Sequence, residues 1–147
     1  MIAVDTNLLV YAHREDSPFH SNAYSIIQTL AEGSAPWAIP WPCVYEFFSV
    51  VTHPRIYKPP TPFKKALEQI DAWLESPRIV LLSETLQMWP HLKEILELAH
   101  VSGPLVHDAR IATLCIHHGI SELWTADRDM SRFSKLTTRN PLVQTNL

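Results

Sequence analysis

Short β-branched apolar runs alternate with longer stretches of helical period along this chain. In MIAVD, at 1–5, Ile2 and Val4 flank an alanine and the run ends on a carboxylate, which predicts a short buried strand, central in its sheet. Thr6 and Asn7 break it, and Leu8, Leu9, Tyr11 and Ala12 follow with helical spacing. A second helix is expected over about 19–31, closed by Gly33, then a short strand at 37–39. Pro42 suits the first turn of a helix running to about residue 52, where Pro54 stops it. A proline-rich connection at 54–62 leads to a helix at 63–75 with apolar positions Phe63, Ala66, Leu67, Ile70, Trp73 and Leu74. The clearest strand is 78–82. Helical segments over 84–100 are expected to kink or split near Pro90. A helix at 106–118 with Gly119 beyond it, a strand at 122–125, a short helix near 129–135 and an edge strand near 142–144 complete the reading.

Strands alternating with helices predict an α/β fold: a three-layer α/β/α sandwich around a mostly parallel sheet of four or five strands. At 147 residues the chain has the length of one domain, 1–147, able to bury a full core without staples. Charged residues are only 18% and apolar residues 46%, which excludes a disordered chain. With three glycines, no glycine-rich phosphate loop can be written. A net charge of −3 excludes a general polycation that coats nucleic acid. Cys43 and Cys115 sit in apolar runs without metal-ligand spacing and are expected to be reduced core residues of a cytoplasmic protein. No run is apolar and long enough for a membrane span, and no basic segment precedes an apolar one as in a secretory signal.

The unusual chemistry lies in a few acids. Asp5 ends the first strand. Glu46 is the sole charge in PCVYEFFSVV. Asp108 shares a helical stripe with Ala112 and Cys115, and Asp127 and Asp129 follow the strand ELWT. In a parallel α/β sheet, ligands bind beyond the carboxyl ends of the strands, where the N-termini of the crossover helices also lie. That geometry draws Asp5, Glu46, Asp108 and Asp127 to one rim. Taken singly, Asp5 reads first as a helix cap, Asp108 as a helix-dipole carboxylate and Asp129 as the cap of the short helix after it. Glu46 is harder to place structurally, because a glutamate is seldom buried without a partner. No lysine or arginine adjoins Asp5, Glu46 or Asp108 in sequence, so converging carboxylates would call for a divalent cation. An all-oxygen set suits Mg²⁺ or Mn²⁺ and can activate water against phosphorus.

Four ordered segments, VDTNLLVYA at 4–12, YEFFSVVTHPRI at 45–56, VHDARIATLC at 106–115 and LWTADRDMSRF at 123–133, resemble a PIN domain, and closely the VapC-type toxins. The resemblance spans nearly the whole chain. It implies one or two Mg²⁺ or Mn²⁺ ions driving RNA phosphodiester hydrolysis, with Asp5, Glu46, Asp108 and Asp127 as the catalytic, metal-binding quartet. Asp129 matches an additional acid, and Thr6, Asn7 and Thr125 match polar residues around the site. Met130 stands where phenylalanine is common, an apolar exchange. A chain of this kind resembles the toxin half of a type II toxin–antitoxin pair, which implies an RNA substrate, a VapB-type antitoxin and a homodimer.

Other readings stay open at this point. A stand-alone PIN nuclease of RNA processing would share the site. His107-Asp108, with His91 or His100 and Asp127, could form the metal set of an HD-type phosphohydrolase, although that fold is all-helical. A haloacid-dehalogenase-like phosphatase needs an aspartate where Asn7 stands. A non-catalytic RNA-binding module would have no reason to retain uncompensated carboxylates. Two acid-free stretches, one with Arg55, Lys58, Lys64 and Lys65 and one with Arg132, Lys135 and Arg139, are candidate phosphate contacts. Trp41, among prolines at the expected rim, is a candidate for base stacking, with packing over the sheet edge as its alternative.

Overall fold

A computed structural model of the chain describes residues 1–143. Within these residues five strands form one sheet: β1 (Ile2–Val4), β2 (Trp37–Pro40), β3 (Ile79–Leu82), β4 (Glu122–Trp124) and β5 (Thr138–Arg139), in the order β3-β2-β1-β4-β5. Every pairing is parallel. Ala3 lies opposite Ala38 on one side and Leu123 on the other, which makes β1 the central strand. Its residues Ala3 and Val4 are fully buried, as the opening run implied. The chain builds β2 and β3 on one side of β1, then crosses to build β4 and β5 on the other. The crevice between the carboxyl ends of β1 and β4 is therefore the topological switch point, where such sheets bind ligands.

Among the described residues, six α-helices cover the sheet: α1 (Thr6–His13), α2 (His20–Glu32), α3 (Trp41–Val51), α4 (Phe63–Leu74), α5 (Met88–Ala99) and α6 (Val106–His117). α1 packs against α2 and α3, α3 against α4, and α5 against α6, giving the three-layer sandwich. The core joins Leu8, Leu9, Trp37, Ile39, Phe47, Leu114 and Leu123. Phe47 carries α4 through an edge-to-face contact with Trp73 at 4.7 Å between ring centres. The indole of Trp37 donates to Ser76 Oγ (3.0 Å), which donates to the Ala31 carbonyl (2.8 Å) and so ties α2 to the loop before β3. Both cysteines are buried and reduced.

Several elements differ from expectation. Pro90 neither kinks nor splits its helix: α5 begins at Met88, so the proline lies in a first turn whose N–H groups have no intrahelical acceptor. Gly33 follows α2 in extended backbone, not in the left-handed conformation of a glycine cap. The short helix near 129–135 is a 3₁₀ turn over Arg128–Arg132. The last strand is not at 142–144 but at Thr138–Arg139. Residues 142–143 follow in a turn, and 144 lies outside the described residues. Among the described residues no helix is long and apolar enough to cross a membrane.

Candidate active site

Asp5 leaves β1 in extended backbone and caps α1, its Oδ1 accepting from the Thr6 N–H at 2.8 Å. The cap reading and a site reading are thus compatible, because each oxygen has several partners. Oδ1 also accepts from Cys43 Sγ (3.6 Å), and Oδ2 accepts from Thr125 Oγ1 (2.8 Å) and Asn7 Nδ2 (3.4 Å). Thr125 follows β4, so this bond spans the switch point. The Thr125 hydroxyl in turn accepts from Asn7 Nδ2 and from the Asp127 N–H, both at 3.0 Å. Asn7 Oδ1 accepts from the Ala126 N–H at 2.9 Å. One amide side chain thereby holds the loop after β4 in register with the start of α1.

Asp127 caps the following 3₁₀ turn by accepting from the Asp129 N–H at 2.9 Å. The cap is therefore Asp127, not Asp129 as expected. Asp129 itself is exposed, and its carbonyl accepts from Arg132 Nε at 3.1 Å. Asp108 stands in the first turn of α6. Glu46 lies on the solvent side of α3, not sealed in its apolar segment. Its carboxyl nevertheless faces the others, and Asp5, Thr6, Asn7, Glu46, Asp108 and Asp127 line one cavity of about 380 Å³ at the switch point. Asp129 is outside that lining.

The electrostatics are those of crowded acids. Burial pushes the Asp5 carboxyl above its usual range, against the Thr125, Thr6 and Cys43 hydrogen bonds that favour its charge, and Asp108 adds repulsion. Burial likewise raises Glu46, with repulsion from Asp5 and Asp108 behind it. Asp108 is raised by burial and then by Asp127, with Arg132 partly offsetting. The Cys43 thiol is pushed far up by burial and stays a neutral donor to Asp5. Thr6 Oγ1 is buried in the cavity wall beside Glu46, with no hydrogen-bond partner among the described residues. An orphaned hydroxyl among carboxylates is the kind of group that a hydrated ion satisfies.

Among the described residues, no three His, Cys, Asp or Glu side chains are gathered tightly enough to enclose an ion. That disfavours a closed zinc-type cage. It leaves room for Mg²⁺ or Mn²⁺, since Mg²⁺ retains several waters and uses one or two carboxylates with substrate phosphate. His107 lies beside Asp108, but the upstream histidines that the HD-type alternative needs are elsewhere. His91 packs against His117 on the α5–α6 surface (ring centres 5.0 Å), His100 follows the end of α5, and the parallel sheet is incompatible with that all-helical fold.

A model of the PIN domain matches residues 2–136. The chain belongs to the PIN-domain family. This PIN domain is 31% identical over 137 residues to Ribonuclease VapC48 of Mycobacterium tuberculosis, covering 93% of this chain and 94% of that protein. It is 31% identical over 142 residues to Ribonuclease VapC43 of the same species, covering 97% and 96%. Among solved structures, VapBC2 from Rickettsia felis bound to a fragment of its promoter DNA superposes with a TM-score of 0.67 at 21% identity, over 95% of this chain and 98% of that one. VapC20 of Mycobacterium tuberculosis, a toxin that cleaves the sarcin–ricin loop, gives 0.65 at 14% identity, over 89% and 93%. These two likenesses speak to the fold.

Two contributors to the site escaped the sequence reading. Cys43, a reduced core residue as its apolar run suggests, also donates its thiol to Asp5. Arg110, two residues beyond Asp108, lines the groove leading away from the carboxylates. Of the expected basic contacts, Lys135 is paired with Glu94 and Lys65 with Glu68 (3.5 Å). Arg139 lies over the Trp124 ring (5.7 Å) in a depression that shares Asp127 with the main cavity.

Proposed function

We propose that this PIN domain is a divalent-metal-dependent endoribonuclease and the toxin of a VapBC-type pair. The observation that carries the reading is the convergence of Asp5, Glu46, Asp108 and Asp127 on one switch-point cavity, with three of the four carboxyls held above their ordinary range. The curated relatives at 31% identity, named ribonucleases, supply the substrate class.

Asp5, Glu46, Asp108 and Asp127 are the residues that would hold Mg²⁺ or Mn²⁺. Bound there, the ion would polarise a phosphodiester and acidify a water. The protein's own part is preorganisation. Thr6, Thr125 and Asn7 fix the Asp5 carboxylate in one orientation, so little reorganisation remains when a substrate arrives. Glu46 and Asp108, whose carboxyls burial and mutual repulsion raise, open to the cavity, and a cation held among them would relieve that crowding. Asp129 acts from outside through its charge on Asp108.

An antitoxin belongs to the same reading, since the Rickettsia felis neighbour is a VapBC structure. A lysine or arginine from a VapB-type tail, placed among the carboxylates, would stand in for the cation and occlude the site. Self-association as a homodimer completes the proposal. The test is cleavage of single-stranded RNA by the purified chain with Mg²⁺ or Mn²⁺, with chelator, and with Asp108→Asn. Removing the antitoxin's tail should release activity, and full inhibition by a tailless antitoxin would refute occlusion.

A further inference from the structure

The carboxylate cavity does not end at the carboxylates. Glu46 and Asp108 also line a second depression of about 420 Å³ with Pro42, Tyr45, His107 and Arg110. Pro42, Tyr45 and Arg110 continue into a third, about 220 Å³, bordered by Trp41. The three form one groove leading from the acids across the start of α3.

Trp41 and Tyr45 are four residues apart on α3 and share a face. Their rings are stacked, 5.9 Å between centres and 20° between planes. Trp41 is half-buried against the core, so it fixes the inner face of Tyr45, while Tyr45 is 61% exposed. The other aromatic rings at the cavity are already engaged. Tyr57 carries the Arg14 guanidinium at 4.3 Å, and Tyr11 packs on Phe19 at 5.2 Å. Among the described residues, Tyr45 is the phenol or indole ring in the groove whose outer face carries no aromatic or cationic partner. Beside it, Arg110 binds Glu84 through Nε only, which leaves both terminal NH₂ groups for another acceptor among the described residues.

We infer that the Trp41–Tyr45 stack is the platform for an unpaired nucleobase next to the scissile phosphate, with Arg110 contacting a phosphate of the same strand. The inference rests on the ribonuclease reading and deepens it: the substrate enters as single-stranded RNA, since a base inside a duplex cannot present its face. An open aromatic face beside a cation is how single strands are held without sequence readout. Trp41, a candidate for stacking with packing as its alternative, packs and becomes the support, and Tyr45 makes the contact.

The test uses the full chain carrying Asp108→Asn, so that RNA stays intact, and a fluorescently labelled single-stranded oligoribonucleotide followed by anisotropy at fixed salt. Tyr45→Leu keeps the bulk and removes the π face, and affinity should fall about tenfold. Tyr45→Phe and Tyr45→Trp should bind like the parent. An oligonucleotide lacking the stacked base should bind parent and Tyr45→Leu equally, a result that a structural defect would not produce. Arg110→Gln should weaken binding and lower the salt slope by about one. Unchanged affinity in Tyr45→Leu, or equal losses in Tyr45→Leu and Tyr45→Phe, overturns the platform while the ribonuclease reading stands. No RNA binding by the parent, together with no cleavage by the wild type, overturns both.

Discussion

Thr125→Val asks whether the site is held together as described. Thr125 is 3% exposed, and its hydroxyl donates to Asp5 Oδ2 while accepting from Asn7 Nδ2 and the Asp127 N–H. Valine is nearly isosteric, so no cavity forms and the three lost bonds are isolated. The bond to the buried carboxylate is the costly one, about 1.5–3 kcal/mol. The other two join half-buried groups that water can partly serve, at about 0.5–1 kcal/mol each. The loss should come to about 3–4 kcal/mol at pH 7. For a chain of 147 residues that is about 10 °C in melting temperature. The cost should also depend on pH. The Thr125 bond is the largest influence lowering the Asp5 carboxyl, so removing it raises further a group already above its unfolded value of 3.8. Such a group is unpenalised below the unfolded pKa, and the penalty grows as pH rises through the folded one. Thermal melts of Thr125→Val against wild type in chelator should therefore diverge more at pH 7 than near pH 4. Thr125→Ser, which keeps the hydroxyl, should lose only the methyl's packing. A Thr125→Val melt within about 1 kcal/mol of wild type at pH 7 would refute the network as the tie between β1 and β4.

Crowded acids give a second expectation: millimolar Mn²⁺ should raise the wild-type melting temperature by about 3–6 °C if the ion reaches ten times its dissociation constant. The shift should shrink in Asp5→Asn, and an equal shift in both would place the ion elsewhere. Because Asp108 is raised by burial and by Asp127, Asp108→Asn in chelator should gain stability relative to wild type as pH climbs from 4 to 7, with no difference at the acid end. A gain that is constant with pH would contradict a raised Asp108 carboxyl. Ser76→Ala should cost about 1–3 kcal/mol by denaturant titration, since it strands the Trp37 indole N–H and frees the Ala31 carbonyl.

Much of this was legible because the periodic signal was strong. The β-branched run before Asp5 is a strand for the reason the pattern suggests: the central strand of a parallel sheet is buried and selects apolar side chains, whereas the run at Ile79–Leu82 forms an edge strand with Val80 exposed. Four carboxylates could be assigned to one rim because chain direction alone places strand ends and helix starts on the same edge. What escaped notice depends on contacts the pattern does not encode. β5 has two residues and no apolar run, and backbone bonds such as Leu123 N–H to the Thr137 carbonyl (2.9 Å) hold it, so periodicity is blind to it. The bridging role of Asn7 needs β1 beside β4, a pairing across more than a hundred residues. Glu46 was expected to be buried from the apolarity of its neighbours, yet the helix turns it outward to the cavity mouth. Pro90 misled because a proline's effect depends on how far it lies from a helix start, and that start carries no capping residue: Gln87 makes no side-chain cap bond.

The central proposal is that the cavity lined by Asp5, Glu46, Asp108 and Asp127 takes a divalent cation for hydrolysis of RNA. The most direct measurement is the initial rate of cleavage of a single-stranded RNA as Mn²⁺ is titrated into chelator-stripped protein, in wild type and in Asp108→Asn. The account predicts no cleavage without metal, saturable activation in wild type, and a loss of at least a hundredfold, on the order of 3 kcal/mol in transition-state stabilisation, in a folded Asp108→Asn. Cleavage that is unchanged by chelator, or equal in the two proteins at saturating metal, would contradict it.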